Sequence, residues 1–143
     1  MAYTNAGPST ATNPHPQGLL SNQARRLLGV VTGVNMNATG DTTMLIQNST
    51  NWSVQEVIVT NASVSLTTAK LGVYTQPGAT GTTILANTTA LTGNTGSTVV
   101  NSLSSPTTTL QTTPYLYLNV GTAQGAAATA DVYIYGFDFS SIT

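Results

Sequence analysis

From residue 27 onward, short runs of Val, Ile, Thr and Tyr are broken every few residues by clusters of Gly, Asn, Asp and Pro. β-Branched and aromatic side chains favour strands, and the turn residues between them limit strand length. The spacing predicts strands near 27–36, 42–47, 52–61, 63–66, 71–76, 82–86, 97–103, 108–111, 114–120 and 131–139. Many short strands punctuated by turns point to an all-β fold, an antiparallel β-sandwich that is jelly-roll-like. The chain has 143 residues. A single domain of that size hides roughly two-thirds of its unfolded surface, which is enough for a real core.

The last two strands are the most legible. Leu116, Leu118 and Val120 face one way, with Tyr115 and Tyr117 opposite. Val132 and Ile134 likewise oppose Tyr133, Tyr135, Phe137 and Phe139. The small-residue loop 121–130 joins the two runs, so the simple expectation is an antiparallel hairpin. Its aliphatic faces would enter the core and its tyrosines would form one cross-strand ladder. That ladder is expected to be covered, either within the chain or as a subunit interface, because a tyrosine ring suits both. Asn37-Ala-Thr-Gly-Asp41 is expected to close another hairpin, and Gln76-Pro77-Gly78 to make a tight turn. Trp52 opens a run in which Trp52, Val54, Glu56 and Ile58 alternate with Ser53, Gln55, Val57 and Val59. Both sets are partly apolar, so this strand is expected to be covered on both sides, with Trp52 in the core or an interface.

Residues 1–26 read differently and form an expected extended N-terminal arm, leaving 27–143 as the sandwich domain. Pro8, Pro14 and Pro16 punctuate a background of Asn, Thr, Ser, Gly and Ala, and Asn13-Pro14-His15-Pro16 favours extended or polyproline-like backbone. Such a segment buries little core by itself and suits docking on a neighbour. Arg25 and Arg26 lie where the arm meets the first strand. They are expected to act as a solvated hinge, the alternative being anchors on an acidic neighbour.

Only seven side chains are charged (three basic, four acidic), with one histidine and no cysteine. An ordinary domain carries roughly a quarter charged residues. The absence of cysteine removes disulfides, thiolate catalysis and cysteine-based zinc sites. A formal net charge of −1 offers no basic patch for phosphates, so nucleic-acid binding is not expected. The longest apolar stretches fall far short of the roughly 20 residues of a membrane-spanning helix, and the first residues show no secretory pattern. His15 sits in the arm, a poor support for a catalytic triad. Asp131 and Asp138, at the two ends of one strand, fall on opposite faces and over ~20 Å apart, too far for a glycosidase pair. Nucleotide, zinc and calcium motifs are missing. The expectation is a protein with no catalytic set, no metal and no cofactor.

The arm, the block Trp52-Ser-Val-Gln-Glu-Val-Ile-Val-Thr-Asn-Ala-Ser63, and the runs Leu71-Gly-Val-Tyr-Thr75 and Ala130-Asp-Val-Tyr-Ile-Tyr-Gly136 carry a resemblance in style and architecture. In these the chain resembles the capsid decoration, or cement, proteins of tailed bacteriophages. The resemblance implies a β-sandwich, commonly a trimer, seated outside the head and tying capsomers of the major capsid protein together. It implies a virion location and a non-enzymatic role. Pro14, His15, Pro16, Arg25, Arg26, Tyr115, Tyr117, Tyr133 and Tyr135 are then the candidate interface residues. The competing expectation is a tail-fibre or carbohydrate-binding sandwich module.

Overall fold

A computed structural model describes residues 25–46, 51–96, 98, 100–101 and 109–139. Eight strands are present: β1 (Arg26–Asn35), β2 (Gly40–Leu45), β3 (Trp52–Thr60), β4 (Lys70–Gln76), β5 (Thr80–Leu85), β6 (Val100–Asn101), β7 (Tyr115–Thr122) and β8 (Thr129–Asp138). They form two four-stranded antiparallel sheets, ordered β1-β8-β3-β6 (sheet A) and β2-β7-β4-β5 (sheet B). The pairs β1/β8, β2/β7, β3/β6 and β4/β5 are nested, as if one long hairpin had been rolled up. That is the jelly-roll arrangement.

The winding overturns two expected hairpins. β7 and β8 lie in different sheets, as do β1 and β2, so the 121–130 and 37–41 segments cross between sheets. Sheets pack about 10 Å apart, a gap that the four residues 36–39 can bridge. The two crossings are tied together: Met36 N donates to Ala128 O at 2.9 Å, and Gln124 N donates to Met36 O at 2.8 Å. The Gln76-Pro77-Gly78 turn does close a hairpin, between β4 and β5. Of the expected strand at 63–66 only a single bridge, Leu66 to Asn94, is formed. The one expected at 108–111 contributes the bridge Gln111 to Trp52, residue 108 lying outside the described residues.

Alternation supplies the core. Leu116, Leu118 and Val120 on β7 meet Val132 and Ile134 on β8, together with Leu28, Met44, Leu71 and Val73, all buried. β3 departs from simple alternation. Val54 pairs with Gly136 and Glu56 with Tyr135, so Gln55 is an extra residue in the ladder. This bulge turns Trp52, Val54, Val57 and Val59 all inward and leaves Glu56 and Ile58 outward. The strand expected to be covered on both sides has one core face and a register break.

Candidate interaction surface

Each of the four acidic side chains has a fixed partner. Asp41 at the start of β2 accepts from Gly78 N at 2.6 Å, which holds the tip of the β4–β5 hairpin. Its other oxygen accepts from Asn119 Nδ2 at 2.7 Å. Asp131 at the start of β8 repeats the arrangement. It accepts from Gly33 N at 2.7 Å and from Asn61 Nδ2 at 2.9 Å. Gly33 and Asn61 both have positive φ, and Gly33 lies in the register break of β1 between Val31 and Val34. The carboxylate closes an irregular backbone that would otherwise have an unpaired N–H.

The arginines hold the other two. Arg25 Nη1 lies 2.7 Å from Glu56 Oε2, and Arg26 Nη1 lies 3.1 Å from Asp138 Oδ2. The expected solvated hinge is therefore corrected. Both arginines are anchored on acidic neighbours, and both neighbours belong to the same chain. Asp138 is buried, while Glu56 stays on the outer face of sheet A. Asp131 and Asp138 fall on opposite faces of β8, as alternation requires.

Replacing Asp131 by Ala removes the acceptor of the Gly33 backbone N–H and of the Asn61 side-chain amide. Unfolding in urea should lose about 1–2 kcal/mol, with an unchanged m-value. Glu56→Gln should cost under about 1 kcal/mol, because a partly exposed pair contributes little. Equal effects from the two changes would show that Asp131 does not fasten the β1 irregularity.

The tyrosines do not form one ladder. Tyr115 and Tyr117 point outward from sheet B, Tyr133 and Tyr135 outward from sheet A, so the molecule has two aromatic surfaces facing away from each other. On sheet B, Tyr115 pairs with Leu45, and the two are 44% and 56% exposed. Farther along the same face, four residues from this pair on β2 and β7, runs a chain of polar contacts. Asn87 N donates to the Tyr74 hydroxyl at 2.8 Å, and Asn87 Nδ2 donates to Asn119 Oδ1 at 3.1 Å. Asn119 then reaches Asp41. On sheet A, Val30, Tyr133 and Ile58 form one cross-strand row, and Leu27, Tyr135 and Glu56 form the next. Phe137 and Phe139 continue the strip, with ring centroids 6.3 Å apart. Pro14, His15 and Pro16 lie outside the described residues.

Sequence reasoning missed the asparagines and Gln124. Gln124 Oε1 accepts from Thr68 N and Ala69 N at 3.1 Å each, and buried Asn94 donates to Val59 O at 3.0 Å. In a chain so rich in amides, no local signal separates these pins from solvated neighbours. Among the described residues no group of three His, Cys, Asp or Glu side chains could hold a metal ion.

No family model matches the chain, and no curated protein matches its sequence.

Proposed function

We propose that the chain is a structural virion protein of the decoration type, which docks on the outer surface of a phage head and bridges neighbouring copies of the major capsid protein. The observation that carries the proposal is the Leu45–Tyr115 pair, exposed on a sheet whose neighbouring polar groups are already bonded to one another. Such a patch offers apolar contact on a face with few charges. Contacts of this kind respond weakly to salt, and many weak copies on one shell add up through multivalency. The jelly-roll arrangement is one that viral capsid and lectin domains share, an analogy at the level of fold alone.

A glycan-binding module is the second reading, favoured by Tyr115 and Tyr117 sharing a face with Asp41 and Asn119. A sugar needs free acceptors and donors. Asp41 and Asn119 are already tied to Gly78, to Asn87 and to each other, which leaves only part of their bonding capacity for a ligand. The decoration reading is therefore preferred.

Mixing the purified chain with heads stripped of it tests the proposal. It should co-sediment at a fixed ratio, as a trimer by light scattering. Changing Leu45 and Tyr115 together to Ser should weaken binding at least about tenfold, the loss expected for a small hot spot. Failure of the native chain to bind heads, or binding to free oligosaccharides that those two changes abolish, would overturn it.

A further inference from the structure

The outer face of sheet A carries an apolar strip outside the core. Val30, Ile58, Tyr133, Tyr135, Phe137 and Phe139 lie half-exposed along it, with Leu27 38% exposed at its edge. Both carboxylates on this face are taken within the chain: Glu56 by Arg25, and Asp131, at the far end of the strip, by Gly33 N and Asn61 Nδ2. The position of Arg25 matters. β1 is an edge strand, and Glu56 is two strands away across β8. For the guanidinium to reach that carboxylate, its side chain must cross the outer face of β8 beside Tyr135, which pairs with Glu56. The chain entering β1 is thus tied down over this face.

What precedes Arg25 matches the face chemically. Residues 1–24 contain no Asp, Glu, Lys or Arg, and Leu19 and Leu20 are their only Leu, Ile or Val side chains. Leu20 stands five residues before Arg25. An extended chain covers about 17 Å in five residues. The strip from Tyr133 to Phe139 is about 20 Å long at strand rise, so five residues are enough chain for the leucine pair to reach it. Prolines lack an N–H, so a segment with Pro8, Pro14 and Pro16 is suited to side-chain contact on a sheet face rather than to pairing along an edge.

We propose that residues 1–24 dock across the outer face of sheet A of their own chain, with Leu19 and Leu20 seated on its aromatic–aliphatic strip. This holds whether or not the protein decorates a shell, because it concerns the chain's own segment. The leucines shield Tyr133, Tyr135 and Ile58, while the Arg25–Glu56 pair fixes the point of entry.

Hydroxyl-radical footprinting of the full chain tests it. Tyr133, Tyr135 and Phe137 should be protected at every protein concentration. Leu19→Asp with Leu20→Asp should remove that protection, with the β-sheet circular dichroism unchanged. Ile58→Asp on the receiving face is the reciprocal variant, and it should make the Arg25–Arg26 bonds newly sensitive to trypsin. Three results would overturn the proposal: rings as reactive in the native chain as in the leucine variant, protection that disappears on dilution (which assigns the face to a second copy), or trypsin sensitivity at Arg25–Arg26 that Ile58→Asp does not change.

Discussion

Gly136→Ala should destabilise the protein by about 3–4 kcal/mol, the upper end of what overpacking costs, and lower the melting temperature by about 10 °C. Gly136 lies in β8, between β1 and β3, opposite Arg26 on one side and Val54 on the other. A Cβ there would land on the Ser53 carbonyl oxygen, and on Leu28 Cδ1 at 2.8 Å. The first of these is backbone, held beside the Gln55 bulge, and cannot swing aside as a flexible side chain can. Gly96→Ala is the control. Its added methyl meets only Ala62 O at 3.5 Å, ordinary contact. Differential scanning calorimetry should place the control within ~0.5 kcal/mol of the parent. A Gly136→Ala protein as stable as that control would mean that β3 and β8 approach less closely than the register requires.

The same neighbourhood shows where sequence stops informing structure. Inward and outward sets on β7 and β8 were legible because alternation there is unbroken, and Leu116, Leu118, Val132 and Ile134 are buried as expected. On β3 one extra residue, Gln55, reverses the phase, and nothing about a glutamine in a Val-rich run announces a bulge. Pairing was less legible still. A strand's pattern says which face is apolar but not which strand lies beside it, so proximity in sequence suggested β7 next to β8. The fold instead pairs strands from opposite ends of the chain, because two sheets cover each other's apolar faces better than a lone hairpin covers its own.

The candidate surface followed the same division. Tyrosines predicted to be outward are outward, but the sheet assignment splits them into two surfaces. The carboxylates could be placed on strands and turns from the sequence. Their partners could not, since Asp41 reaches Gly78 and Asp131 reaches Gly33 across 37 and 98 residues of chain. These are contacts that only the winding creates.

Trp52→Ala should cost about 3–5 kcal/mol, the range for emptying a buried aromatic site. Trp52 is fully buried and sits where three segments meet. Its backbone pairs with Asp138 of β8 on one side and exchanges hydrogen bonds with Gln111 on the other, at 3.0 and 2.7 Å. Its indole Nε1 donates to Thr113 O at 3.0 Å. The ring therefore fills volume and also satisfies a carbonyl in the segment leading to β7. Trp52→Phe separates the two roles. It keeps most of the volume but leaves the Thr113 carbonyl without its donor, so about 1–3 kcal/mol of the loss should remain. Urea unfolding followed by circular dichroism measures both variants on one scale, since the substitutions remove the chain's only tryptophan fluorophore. If Trp52→Phe proves as unstable as Trp52→Ala, the hydrogen bond to residue 113 rather than the packed ring holds this end of the sandwich closed. If it is as stable as the parent, the bond contributes nothing and the ring's volume alone accounts for the site.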